Sequence, residues 1–311
     1  MTVCAAAMAR GNVIGASDRM LTSGLGDIEF EPQVSKLQKL TDNVCVMIAG
    51  DMTLQTEIIY KVMETVPSLP GLTWTVEEVA NAYYKAYQEC HRKRAEWAIL
   101  HPLGLADASS VLLMGDPGMR VASDLINFKA PQIEALVTGY DDRGTGAHIY
   151  VVTNFGITCH DWVGFASIGG GSGHANSQFM FAGHNRYRAL PETLMLVYSA
   201  KKRAEIAPGV GSATDMFFIE PPGTFYSVGT HVLEQLDECY QQLTKNAADA
   251  MEAANGKISQ YIETITKASE STASENTASV PALPFESEGL SGADKPESSA
   301  PEAYEEVAME D

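Results

Sequence analysis

Apolar residues at the head of the chain fall in two short unbroken runs, 2–9 (TVCAAAMA) and 12–18 (NVIGASD), joined at Arg10-Gly11. Runs of this length with little alternation predict strands covered on both faces. Gly11-Asn12 suits the turn of a hairpin between them. TSGLGDIEFEPQ, rich in glycine and bounded by Pro32, reads as a loop, and 43–49 (NVCVMIA) predicts another buried strand stopped at Gly50. The pattern then changes period. A helix is expected over 51–66, and a second over 75–100, opened by the capping box Thr75-Val-Glu-Glu78. On the second, Val79, Tyr83, Tyr87, Cys90 and Trp97 keep to one face.

Strand-like runs return at 109–114, 133–139, 147–153 and 156–161, with YDDRGTG as a turn. IGGGSGHA (168–175) leads into helices over about 174–187 and 191–206, and strands at 213–219 and 224–229 follow. Runs of strands alternating with pairs of helices predict an α+β protein. From His231 to Ala268, Leu233, Leu236, Tyr240, Leu243, Ala247, Met251, Ala254, Ile258, Ile262 and Ile265 recur three or four apart, a long helix. Residues 269–311, rich in Ser, Glu, Ala and Pro, are expected to be disordered for want of buriable surface. The expected division is a main domain over 2–230, a helical extension over 231–268 and an acidic tail over 269–311.

Composition narrows the function. Hydrophobic residues make up 45% of the chain and charged residues 20%, and the net charge is -19. That balance opposes nucleic-acid binding, which needs cations to neutralise phosphates. The tail supplies about half of the charge. No apolar segment approaches the roughly 20 residues of a membrane span, and a secretory signal's basic n-region is absent from the opening residues. Cys4, Cys45, Cys90, Cys159 and Cys239 lie far apart, with no zinc-ligand spacing. They read as reduced thiols in a cytoplasmic protein without a metal or other cofactor. The glycine cluster IGGGSGHA lacks the Gly-Lys-Ser/Thr ending of a phosphate-binding loop.

The candidate chemistry sits at residue two. A small residue behind the initiator methionine is a general signal for its removal. Trimming would leave Thr2 with a free α-amine, whose ordinary pKa is about 7.7–8.0. A threonine hydroxyl is a weak nucleophile until a base activates it, and an N-terminal amine can be that base. Asp18-Arg-Met-Leu-Thr22-Ser-Gly24 follows the second strand, and Lys36 precedes Gly50 by fourteen residues.

In these features the stretch from Thr2 to Gly50 resembles the catalytic β subunits of the proteasome and the bacterial HslV-type peptidases, which are N-terminal nucleophile hydrolases. The likeness runs more weakly through most of the first 230 residues. It implies a four-layer αββα sandwich without a propeptide, and peptide-bond hydrolysis through an acyl-enzyme on Thr2. Asp18 and Lys36 would assist (Lys39 is the fallback lysine) and the Gly50 N–H would donate to the oxyanion. Thr22 would hold substrate as an added strand, and Val34, Ile48 and Met52 would line an apolar specificity pocket. Two positions depart from the family's pattern: Gly170 stands where a serine is expected, and Glu205 where an aspartate is expected. Ser172 is the hydroxyl that could substitute near the amine. The resemblance further implies a homo-oligomeric ring, protein or peptide substrates and an ATP-driven AAA+ unfoldase as partner. The rival readings are an amidohydrolase of small amides and a catalytically inactive scaffold.

Overall fold

The structure, a computed structural model, describes residues 2–22, 29–32, 34–66, 74–141 and 146–276. The opening runs form the hairpin expected of them, β1 (Cys4–Ala9) and β2 (Asn12–Asp18). Arg10 and Gly11 both take positive φ at its turn. β3 (Leu21–Thr22) and β4 (Glu29–Phe30) pair with each other inside the segment expected to be a loop. β5 (Leu37–Lys39) and β6 (Val44–Gly50) follow, then α1 (Met52–Thr65) and α2 (Val76–Ile99). The capping box of α2 is formed: the Glu78 N–H donates to the Thr75 hydroxyl, and the Thr75 N–H donates to the Glu78 carboxylate.

The strand expected at 109–114 is absent. Residues Ala108–Met114 are a 3-10 helix, which leads into α3 (Asp116–Ile126). A short apolar run cannot by itself distinguish strand from helix. Here Asp107 decides, by accepting from the Ser110 N–H and so capping a helical turn.

The remaining elements are β7 (Ile133–Asp141), β8 (Gly146–Thr153), β9 (Gly156–Cys159), β10 (Phe165–Ile168), α4 (Ser172–Phe181), α5 (Leu190–Ala204), β11 (Thr214–Glu220) and β12 (Thr224–Ser227). A last helix, α6, runs Thr230–Asn276 and so continues past Ala268. By their internal contacts residues 1–246 form one unit, and residues from Ala247 onward form a second. The acidic tail beyond Asn276 lies outside the described residues.

Two five-stranded antiparallel sheets carry the first unit, in the orders β10-β1-β2-β11-β12 and β5-β6-β7-β8-β9. Strand β1 shows no alternation because both of its faces are covered. Val3, Ala5 and Ala7 pack with Phe179, Val197 and Ala200 of α4 and α5. Cys4, Ala6 and Met8 pack with Cys45, Met47, Leu136 and Ile149 of the second sheet. On the second sheet, Val46, Ile48 and Val137 meet Leu54, Ile58, Val79 and Tyr83 of α1 and α2. Each large apolar side chain so buried contributes about 1.5–3 kcal/mol.

The fold class is therefore α+β, while the four-layer αββα sandwich implied by the resemblance is corrected. What is described is two antiparallel sheets with helices. The separate β3–β4 ribbon and the helical segment 108–126 have no place in a scheme of two sheets and two pairs of helices. Among the described residues no helix is long and apolar enough to cross a membrane.

Candidate active site at Thr2

The end of β2 places Asp18, which is fully buried. Its register against β1 brings it beside Val3: the Asp18 N–H donates to the Val3 carbonyl at 3.1 Å, and the Val3 N–H donates to Asp18 Oδ1 at 3.0 Å. The second carboxylate oxygen accepts from the N–H groups of Met20 and Gly211, each at 3.0 Å. Lys36, just before β5, is 1% exposed, and its Nζ donates to Asp18 Oδ1 at 2.8 Å and to Thr2 Oγ1 at 2.5 Å. An ammonium at this depth is costly without a counter-charge, and Asp18 provides it. Lys39 is excluded from the site, since it is exposed and pairs with Asp42.

A second buried lysine supports Asp18 from behind. Lys201 on α5 is fully buried and donates to the Gly211 and Ser212 carbonyls at 3.0 and 2.8 Å. That fixes the loop whose Gly211 N–H holds Asp18. Burial lowers the pKa of Lys201, and the hydrogen bond to Glu205 opposes that shift. Glu205 therefore serves Lys201 and Lys202, at 2.7 and 3.0 Å, and does not join Thr2.

In front of Thr2 opens a cavity of about 760 Å³, lined by Met20, Leu21, Gly50, Asp51, Met52, Ile133, Glu134, Gly169 and Gly170 among others. Gly50 ends β6 with φ +99°, and a Cβ there would come within 2.4 Å of the Gln132 carbonyl. The backbone conformation and the close approach both require glycine at this corner. Next to it Asp51 caps α1, accepting from the Leu54 N–H at 2.7 Å. Burial opposes ionisation of Asp51, but hydrogen bonds from Thr53 and Leu54 hold its carboxyl below the usual range.

The Thr2 carbonyl accepts from the Gly171 N–H at 3.1 Å, and Gly169, at φ +87°, passes so close that a Cβ would lie 2.3 Å from that carbonyl oxygen. Gly170 lines the cavity without a hydroxyl. Ser172 opens α4 and is not among the lining residues.

The structure thus brings together Thr2, Asp18 and Lys36, and places Gly50, Gly170 and Met52 around one opening. Thr22 lies on β3, paired with Glu29. Val34 and Ile48 are not in the cavity wall: Val34 is exposed, and Ile48 packs under α1 and α2. Glu134 was missed. A carboxylate at the second position of the otherwise apolar strand IEALVTGYD was the available signal. It lies opposite Ala49, and its Oε2 accepts from the Gly169 N–H at 2.6 Å. Cys4 also faces this region, but burial pushes its thiol pKa up, and the thiol donates to the Ile48 carbonyl. Among the described residues no group of three His, Cys, Asp or Glu is placed to hold a metal ion.

Fold and site together define an α+β protein that sets a buried lysine–carboxylate pair against a threonine hydroxyl at the wall of an open cavity. No protein-family profile matches the chain, and no curated protein does. Among the 598 solved chains that match it is one from the helical assembly of the Anbu complex from Pseudomonas aeruginosa. It is 13% identical with a TM-score of 0.58, over 81% of this chain and 96% of that one. Identity this low shows a shared fold alone. The kinship with proteasome β subunits and HslV-type peptidases expected from the motif is corrected accordingly. A few polar positions between Thr2 and Gly50 constrain one corner of a fold and do not establish descent.

Proposed function

We propose that the chain is an amide hydrolase acting on peptide bonds, with Thr2 as nucleophile once Met1 is removed. The observation that carries this reading is the contact of Lys36 Nζ with both Thr2 Oγ1 and Asp18, buried at the wall of a substrate-sized cavity. Thr2 Oγ1 attacks the scissile carbonyl, and its proton passes to the freed α-amine of the same residue. The Lys36 charge favours the developing alkoxide and disfavours a second positive charge on the amine. Asp18, held by three backbone N–H groups, fixes the lysine. The Gly50 N–H donates to the tetrahedral oxyanion, a contribution of about 2.7–4 kcal/mol to the barrier. The tetrahedral intermediate collapses as the C–N bond breaks, and the leaving nitrogen takes the proton held by the α-amine. Water deprotonated by that amine then cleaves the acyl-enzyme ester to release the acid and restore the Thr2 hydroxyl.

Thr22 on β3 offers an edge to which an extended substrate adds as a strand. Met20, Leu21, Met52 and Ile133 in the cavity wall favour an apolar side chain before the cut. Copies of the chain assemble so that their sites face a shared interior, supplied with unfolded segments by an ATP-driven partner. The helical assembly of the structurally similar protein supports an oligomer. The test is a panel of fluorogenic peptides: the processed chain cleaves them, with apolar residues preferred, and Thr2→Ala is inert. Equal turnover by Thr2→Ala would contradict the nucleophile.

A further inference from the structure

We propose that Glu134 holds the α-amine of Thr2 after Met1 is removed, and is the positioning residue that keeps this amine next to its own hydroxyl. The assignment rests on the reading of Thr2 as an N-terminal nucleophile. It identifies a contact that the Thr2–Gly50 motif does not contain.

A newly exposed ammonium at Thr2, only 9% exposed, needs a counter-charge. Asp18 is already committed: its two oxygens accept from Val3, Lys36, Met20 and Gly211. Gly170, in the same cavity wall, has no side chain to contribute. Glu134 has the capacity. Among the described residues only Oε2 is engaged, by the Gly169 N–H, and no Lys, Arg or His is paired with it. Gly169 in turn presses on Thr2, since a Cβ on it would fall 2.3 Å from the Thr2 carbonyl oxygen and 3.4 Å from Thr2 Cβ. Gly169 therefore meets both the carboxylate and the threonine. Burial dominates the raised pKa of the Cys4 thiol, two residues along the same strand, but Lys36, Asp18 and Glu134 all act on it as well.

The charged and titratable groups around the amine come from every neighbouring element: Cys4 on β1, Asp18 ending β2, Lys36 before β5, Asp51 before α1 and Glu134 on β7. Lys201 on α5 stands behind Gly211. Lys36 favours the neutral amine and Glu134 the charged one. Removing the Glu134 charge must therefore lower the amine pKa.

The experiment uses the full chain released from a cleavable N-terminal fusion, so that Thr2 is the first residue. Trace acetic anhydride labels the α-amine across a pH series, and mass spectrometry of the N-terminal peptide gives its titration curve. Glu134→Gln, near-isosteric and able to keep the Gly169 contact, is expected to lower the apparent amine pKa by about one unit. Glu134→Asp, which withdraws the charge without deleting it, falls between. The acidic limb of the turnover profile moves by the same amount. An unchanged amine titration in Glu134→Gln overturns the assignment. If circular dichroism shows that variant misfolded, the Glu134→Asp titration decides in the same way. Titration needs no turnover, so a shifted amine in an inert protein would sink the hydrolase reading and leave this contact standing.

Discussion

Two charged clusters sit at opposite ends of the β1–β2 hairpin, and they differ in what they face. At the Thr2 end, Lys36 and Asp18 are sealed from water, and the lysine ends on a hydroxyl that borders a cavity of about 760 Å³. At the turn end, beside Met8, Arg10 and Gly11, His148 stands between Asp161 at 2.5 Å and Asp141 at 3.6 Å, on a cavity of about 270 Å³. Among the described residues no serine, threonine or cysteine lines that smaller cavity. Its carboxylates bind backbone: Asp161 accepts from the Ile149 N–H and Asp141 from the Val76 N–H. The turn-end cluster fastens β8 to its neighbours. Charges held close together do not define a reactive site unless a nucleophile and room for a substrate come with them.

The largest effect expected from breaking this comparison comes at Lys36. Lys36→Met leaves Asp18 buried without its cation, which costs about 3–5 kcal/mol in urea denaturation. It should also reduce turnover by about 10²–10⁴-fold through the lost stabilisation of the nucleophile. Retained activity would place the two clusters in the same structural class.

Next in size is His148→Gln, with about 1.5–3 kcal/mol of stability lost and turnover kept. Its cost depends on pH. The hydrogen bond His148 donates to Asp161 raises the His148 pKa against the effect of burial. For Asp161, where burial acts to raise the pKa, the same contact and the Ile149 N–H hold it below the usual range. The histidine's contribution is complete below its unfolded value of about 6.5 and is lost as pH rises through the folded pKa. The aspartate's is present above about 3.9 and is lost as pH falls through its own depressed pKa. The variant should therefore be most destabilised, relative to the native chain, between about pH 4 and 6.5. A constant difference across pH would argue against the ion pair.

The smallest effect is expected at Ser17, beside Cys4 in the hairpin register, whose buried hydroxyl has no hydrogen-bond partner among the described residues. Ser17→Ala removes an unsatisfied group and should leave stability unchanged or raised, within about 0.5 kcal/mol, in thermal melts. A larger loss would show that the hydroxyl is engaged.

The Thr2 corner was legible in sequence because its parts arrive within one short stretch of chain. The hairpin register delivers Asp18 to Val3, and the next segment delivers Lys36. Burial then separates Lys36 from Lys39, a distinction that spacing alone left open. Glu134 and Gly211 were not legible, because they reach the site from strands and loops more than a hundred residues downstream. Their roles depend on sheet order and on the path of one glycine loop. Ile48 was misplaced for a related reason. Its position on β6 fixes that it is buried, but whether it faces a cavity or a helix depends on where α1 and α2 lie. The helical turn at 108–114 turned on one capping aspartate within a run that reads equally well as a strand.

The central claim is that Thr2, freed at its amine and activated beside Lys36, is the nucleophile. Intact-mass measurement of the purified chain with a peptide electrophile that captures N-terminal threonine tests it most directly. The account predicts a chain lacking its first methionine that gains one equivalent of the electrophile, with no gain for Thr2→Ala. A chain that turns over peptides while retaining Met1, or one modified equally well in Thr2→Ala, would contradict it.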